Sequence, residues 1–228
     1  MIITIDGPAG AGKSTVAQAL ARRLGFRYLD TGSMYRAVAL AALRGKVRWD
    51  RPEELTSFLR SLDIQVANDR VLLDGEDVSE AIRSSEVTAA TRFAADNPEV
   101  RQLLTKLQRA VAEGQDIVTE GRDQGTVVFP EAECKVFLTA TPAERAARRL
   151  KDLTAQGENK TFEEVLSELT GRDKQDAARP YGPLMAAPDA IEVLTDGMSI
   201  EQVVECLESI VQQRQSARPQ PPNPSDHG

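Results

Sequence analysis

The sequence predicts an α/β fold: a parallel sheet flanked by helices on both faces and carrying a small antiparallel β insert. Three observations predict it. The chain opens with a β-branched run, Met1 to Asp6, closed by Gly7 and Pro8, and from Thr15 to Leu24 apolar residues recur at helical spacing (Val16, Ala19, Leu20, Leu24). Short runs of buried-strand type recur at Ile117 to Thr119, Val136 to Leu138 and Ile191 to Leu194, with helical stretches between them, the spacing that parallel strands require. Between residues 60 and 85 this rhythm breaks: Ile64 to Val66 and Val71 to Leu73, joined through Asn68 and Asp69, have the pattern of a β-hairpin.

Taken in order, the first strand, glycine turn and helix form one unit, with the helix placed from Thr15. The insert continues through Gly75, Glu76 and Asp77 into a further short β or turn element. Later helices announce their own starts. Thr141, Pro142 and Glu144 supply a cap, a first-turn proline and a capping-box acid, and Thr161 with Glu164 and Ser199 with Gln202 repeat the box. After Ser199, the residues Ile200, Val203, Val204, Leu207, Ile210 and Val211 form one apolar stripe, so the last helix packs on the sheet and ends near Gln213. Residues 1–213 are expected to form a single domain, and 214–228, proline-rich with few apolar side chains, a disordered tail.

Composition narrows the chemistry. Lys and Arg number 28 against 35 Asp and Glu, a net charge of -7, so no overall positive field gathers nucleic acid or anionic lipid. The single histidine, His227, is the next-to-last residue, which excludes a Ser-His-Asp triad, a two-histidine zinc site and histidine general-base catalysis in the folded body. Cys134 and Cys206 form neither a CxxC motif nor a disulfide framework, as expected of a cytoplasmic protein, and the sequence shows no export signal and no apolar run of spanning length.

The segment Gly7, Pro8, Ala9, Gly10, Ala11, Gly12, Lys13, Ser14 satisfies GxxxxGK[ST], a pattern expected by chance in roughly one such chain in a hundred. Its glycines let backbone N–H groups converge on phosphate oxygens, and the following helix N-terminus, with Thr15, adds a favourable field. Lys13 is expected to be an exposed loop lysine reaching the β and γ phosphates, and Ser14 to offer a hydroxyl to Mg²⁺. The motif names a donor site and leaves the acceptor open among GTPases, transport ATPases, motors and small-molecule kinases. No DxxG, NKxD or LSGGQ-like sequence occurs, and Ile117 to Thr119 runs into Glu120, Gly121, Arg122 and Asp123, with an arginine where motors usually place paired acids.

Arginines supply the rest. Arg145, Arg148 and Arg149 fall on one helical face, and Arg172, Asp176 and Arg179 repeat that geometry on the next helix. Leu153 to Lys160 between them is a polar, glycine-containing connection suited to a mobile lid over residues 150–162. Two arginine-bearing helices with a flexible tip can close over a triphosphate, supply charge to the transferring phosphoryl group and exclude water. An acceptor that is itself a phosphate, largely dianionic at neutral pH, requires no general base, which suits a chain without a histidine in its body.

The segments ITIDGPAGAGKST, LDTGSMYR, LLDGEDVSEAIR, PEVR, EGRDQGTVVFP, TPAERAARR and GRDKQDAAR resemble the bacterial cytidylate kinases, nucleoside monophosphate kinases of the P-loop class, from Ile3 to about Val211. That resemblance implies a parallel five-stranded core, a short lid, a monophosphate-binding region enlarged by a small antiparallel sheet, and phosphoryl transfer from ATP to CMP or dCMP. It assigns residues 7 to 15 to ATP, and Thr31, Tyr35 and Arg36 to the acceptor, with Arg36 a phosphate contact beside Arg122 and Arg179. It assigns Arg101 and Asp123 to the cytosine, Arg172 and Asp176 to the sugar, and transition-state charge stabilisation to Lys13, Arg122, Arg145 and Arg149. Arg92, next to Thr91, stands where relatives often place a base-contacting serine. The chain is expected to act as a monomer with Mg²⁺ and small-molecule substrates, without nucleic acid or membrane. The alternatives are a kinase for another small acceptor such as UMP or shikimate, and a nucleotide-binding switch without transfer activity.

Overall fold

Strand β1 (Ile2–Asp6) is buried on both faces along nearly its whole length, as a central parallel strand must be. The computed structural model describes residues 1–67, 70–155 and 157–216. In it β1 lies between β6 (Ile117–Gly121) and β7 (Cys134–Thr139), with β2 (Arg27–Asp30) and β8 (Ile191–Leu194) at the edges, in the order β2-β6-β1-β7-β8, all parallel. The residue patterns located four of these strands. The fifth, β2, is an edge strand of four residues with only Leu29 fully buried, too short to show an alternation.

Two apolar layers cover the sheet. On one face α1 (Lys13–Leu24) and α8 (Ile200–Ser216) bury Val16, Leu20, Val203, Val204, Leu207 and Val211 against Ile3, Ile5, Val118 and Val136. Each such side chain contributes about 1.5–3 kcal/mol when removed from water. On the other face α2 (Thr31–Arg44), α4 (Ser85–Asp96) and α5 (Pro98–Ala112) pack with α3 (Pro52–Ser61) and the insert strands β3 (Ile64–Ala67), β4 (Arg70–Leu73) and β5 (Glu76–Asp77). The insert is antiparallel, with Ile64 opposite Leu73 and Leu72 opposite Asp77, and its Ile64, Val71 and Leu73 join the main core. The hairpin tip at Asn68 and Asp69 lies outside the described residues.

Several boundaries move. The first helix begins at Lys13 rather than Thr15, because Gly12, at φ 85°, caps it. The last helix runs through Ser216, three residues beyond Gln213, and Ile200 lies 55% exposed, off the buried stripe. Residues 217–228 lie outside the described set. The capping boxes at Thr161 and Ser199 form in full. The one at Thr141 forms by half: its hydroxyl accepts from Glu144 N, but Asp196 takes the Thr141 N–H and Glu144 turns to Arg148. Helix α6 (Pro142–Ala155) retains Leu153, Thr154 and Ala155, and buried Leu153 joins Ala9, Ala146, Val165 and Leu169 in a small core beneath α7 (Phe162–Ala177). The connection between α6 and α7 is therefore shorter than the stretch from Leu153 to Lys160. Among the described residues no helix is long and apolar enough to cross a membrane.

Candidate active site

The carboxyl ends of β1 and β6 converge with the N-termini of α1 and α2, the place where open α/β sheets bind ligands. Gly7 leaves β1 so close to β7 that a Cβ on it would stand 2.0 Å from the Leu138 carbonyl oxygen, so no other residue fits. The loop then lays Gly10, Gly12, Ser14 and Thr15 open to the cleft while Pro8, Ala9 and Ala11 are buried. Lys13 departs from expectation: it is only 6% exposed, and its Nζ donates to Pro8 O at 2.7 Å, folding the side chain across its own loop. Burial, then the Arg122 guanidinium, lowers its pKa to about 7.

Acids stand at the strand ends. Asp6 ends β1 and accepts from Gln124 N at 2.8 Å and Gly125 N at 2.7 Å, which moors the turn after β6; burial nonetheless raises its pKa to about 6. Glu120, near the end of β6, accepts from the Ser14 hydroxyl at 2.8 Å, and its backbone oxygen accepts from the Thr31 hydroxyl at 2.7 Å. Asp30 caps α2 through Ser33 N, and burial followed by the charge of Glu120 raises its pKa. Of these acids Glu120 stands at the hydroxyl of the phosphate loop, an oxygen pair of the kind a hard divalent cation accepts.

Opposite the loop, guanidinium groups gather. Asp176, 2% exposed, accepts from Arg122 Nε at 2.8 Å and Arg179 Nη2 at 2.5 Å, and so holds side by side an arginine of the turn after β6 and one that lies not on α7, as its spacing predicts, but two residues past the helix end at Ala177. Arg172 lies within the electrostatic reach of Arg122, Arg179 and Arg36. Arg36 donates to Thr88 Oγ1 at 2.6 Å, and Arg179 to Asp96 at 2.7 Å. Four arginines against the two acids that pair with them, Asp176 and Asp96, leave an excess of positive charge, which is what a dianionic phosphate needs.

Beside this cluster Arg101 and Asp123 form a buried ion pair beneath Tyr35, whose ring centroid lies 5.5 Å from the Arg101 guanidinium carbon. Arg101 Nη1 donates to Ala95 O at 2.9 Å, while its Nε is buried without a partner among the described residues. Gly182, at φ +62°, covers the pair: a Cβ there would stand 2.1 Å from Asp123 Oδ2 and 2.5 Å from Arg101 Nη2. Gly182→Ala is expected to raise KM for the acceptor at least tenfold and leave ATP affinity within about twofold, because the methyl displaces this pair and not the phosphate loop. Separate titrations with ATP and CMP check this.

The structure thus brings Lys13, Ser14, Arg36, Arg101, Arg122, Asp123, Arg172, Asp176 and Arg179 around one cleft. It divides the arginine stripe of α6 that the sequence placed on one face. Arg145 is 4% exposed and turned into the phosphate loop, Arg148 donates to Thr195 O at 2.6 Å, and Arg149 alone is exposed. The division follows from α6 lying between the loop and the end of β8. Arg92 is exposed, with its guanidinium carbon 4.7 Å from the Phe93 ring centroid, and Thr91 donates to Val87 O within its own helix. Sequence reasoning missed Asp6, Glu120, Asp173 and Gly182. The first two carried a signal, an acid followed by glycine at the end of a strand; the others act through tertiary contacts that no local pattern marks.

Comparison with known proteins finds relatives along nearly the whole chain. The family described as Cytidylate kinase matches residues 3–213. The chain is 52% identical over 205 residues to the cytidylate kinase of Rhodopirellula baltica, covering 90% of each chain. It is 48% identical over 203 residues to that of Caldanaerobacter subterraneus subsp. tengcongensis, covering 89% of this chain and 91% of the other. With the cytidylate kinase of Geobacter sulfurreducens it shares 42% identity over 223 residues, 96% of each. A phosphate loop facing a cleft of arginines, a buried acid–arginine pair and a match along nearly the whole chain lead to one assignment: this chain belongs to the cytidylate kinase family.

Proposed function

We propose that the chain transfers the γ-phosphoryl group of ATP to CMP or dCMP, giving ADP and CDP or dCDP. The observation that carries this reading is the pairing of two unlike sites across one cleft: a glycine loop built for a triphosphate, and an arginine cluster leading to the Arg101–Asp123 pair. Cytosine presents an amino donor beside ring acceptors. Asp123 offers the matching acceptor, and the unpartnered Arg101 Nε a donor.

In this reading the loop from Gly7 to Thr15 binds the triphosphate, and Lys13 swings from Pro8 O to the β and γ phosphates. Arg36, Arg122 and Arg179 bind the acceptor phosphate, Tyr35 and Thr31 line its pocket, and Arg172 with Asp176 faces the sugar. Arg122 and the exposed Arg149 spread the charge of the migrating group. Asp176 serves this arrangement by fixing the Arg122 and Arg179 side chains. The Ser14 hydroxyl with Glu120 beside it fits Mg²⁺, and that ion, bound with ATP, neutralises phosphate charge. The acceptor oxygen is already ionised at neutral pH, so the absence of a histidine from the site costs nothing. We assign the active unit as a cytoplasmic monomer.

A coupled assay of ADP formation with CMP, dCMP, UMP, AMP and shikimate tests the reading. Strong stimulation by CMP and dCMP supports it; stimulation by UMP or shikimate instead identifies another kinase. ADP release indifferent to every acceptor identifies a nucleotide switch.

A further inference from the structure

The geometry points to Asp173 as a positioning residue that fixes the spacing between the donor loop and the acceptor-side arginines, an inference that rests on the transfer reading above. Its carboxylate closes a ring around one residue of the phosphate loop. Asp173 Oδ1 accepts from Ala9 N at 3.0 Å. Arg145 Nη1 donates to Ala9 O at 2.8 Å and to Asp173 Oδ2 at 2.5 Å, and Arg145 Nε donates to Ala140 O at 3.0 Å. Both polar groups of Ala9 are therefore gripped, one by each member of the ion pair. The Ala9 side chain is buried against Ala146, Leu153, Val165 and Leu169, so the grip is dry on that side.

What makes this more than a loop brace is the helix on which Asp173 sits. Its neighbour Arg172 lies within electrostatic reach of Arg122 and Lys13, and one turn further Asp176 holds Arg122 and Arg179. A single helix, α7, is thus pinned to the donor loop at Asp173 and carries Arg172 and Asp176, and Asp176 in turn holds Arg122 and Arg179, of which Arg179 lies two residues past the helix end. Nothing flexible intervenes between the two attachments. Arg145 is also reassigned: its Nε and Nη1 are committed to the base of this clamp, so it stays with the loop.

The spacing matters because the reaction is a direct displacement. An acceptor phosphate oxygen bonds to the γ-phosphorus while the bond from that phosphorus to the bridging oxygen breaks and its electron pair stays on ADP. Water in place of the acceptor gives ADP and inorganic phosphate, which keeps one of the water protons while the other passes to solvent. The reacting atoms must approach within about 3–3.5 Å, and a misplacement of about 1 Å costs roughly a hundredfold. Loosening α7 from the loop therefore slows transfer and increases the share taken by water.

The test uses the full chain with Asp173→Ala and Asp173→Asn. Calorimetry gives affinities for ATP and CMP separately, and CDP and inorganic phosphate are measured together at saturating substrates. For Asp173→Ala the expected result is a 10- to 100-fold lower kcat for CDP, separate affinities within about threefold of wild type, and a phosphate-to-CDP ratio raised at least tenfold. Asp173→Asn keeps an acceptor for Ala9 N and is expected to fall between. A folded variant with an unchanged ratio overturns the inference, as does a loss explained wholly by weaker ATP binding. If the alanine variant does not fold, the asparagine variant answers by the same ratio. A wild type that makes no CDP overturns the transfer reading and this inference with it; a wild type that makes CDP beside an unchanged variant ratio overturns the inference alone.

Discussion

Lys13→Ala is expected to lower kcat for CDP formation by about 10²- to 10³-fold or more, the scale of removing one charged contact made to the transferring group. The structure alters why the protein survives the change. Lys13 is buried and bonded to Pro8 O, and burial and the Arg122 guanidinium together disfavour its charged form and lower its pKa from 10.5 to about 7. Removing it relieves a desolvated cation, so the melting temperature at pH 7 is expected to stay within a few degrees of wild type. The pKa also fixes a sign. Between about pH 7 and 10.5 the folded, ligand-free chain binds fewer protons at this lysine than the unfolded chain, so wild-type stability rises with pH across that window. Triphosphate binding restores the charge, so at pH 8 ATP is expected to bind with uptake of close to one proton. Calorimetry in two buffers of different ionisation enthalpy measures that uptake, and Lys13→Ala should abolish it. Proton-neutral binding by the wild type would remove Lys13 from the phosphate contact.

Asp123→Asn is expected to lower kcat/KM for CMP by about 10- to 100-fold and that for UMP by less than about threefold. A carboxylate accepts from the amino group of cytosine and repels the carbonyl that uracil places there, a discrimination of about 1–3 kcal/mol. An amide can turn its donor toward uracil and so loses the preference. Asp123 is also half of a buried ion pair with Arg101, and breaking such a pair by removing one charge destabilises by about 3–5 kcal/mol. Stability and specificity are therefore both expected to fall, and kinetics on the two substrates separates them. A melting temperature lowered with the CMP to UMP ratio unchanged would leave Asp123 a scaffold for Arg101 and Tyr35.

How much of this was legible in the sequence depended on the range of the physics. The phosphate loop is local: glycine conformations and one lysine define it, and they stand within eight consecutive residues. The pairing of Ile64 to Val66 with Val71 to Leu73 declared itself by two short apolar runs flanking Asn68 and Asp69, and the helix starts at Thr161 and Ser199 by capping boxes that the structure contains. The edge strand β2 did not, because four residues with one buried side chain carry no period. The α6 arginines show the same limit from the other side. Helical spacing made Arg145, Arg148 and Arg149 equivalent, whereas packing sends the first to the phosphate loop, the second to Thr195 and leaves the third exposed. Lys13 and Gly182 belong to that class too, since a buried lysine and a glycine pressed on an ion pair are set by neighbours remote in sequence.

The most direct measurement follows the phosphoryl group itself. The chain is incubated with ATP labelled in its γ-phosphoryl group, Mg²⁺ and CMP, and the labelled products are separated. The account predicts that the label appears in the β position of CDP, in step with ADP, and that dCMP gives dCDP in the same way. Label released as inorganic phosphate at the same rate with and without CMP, with no labelled CDP, would contradict it.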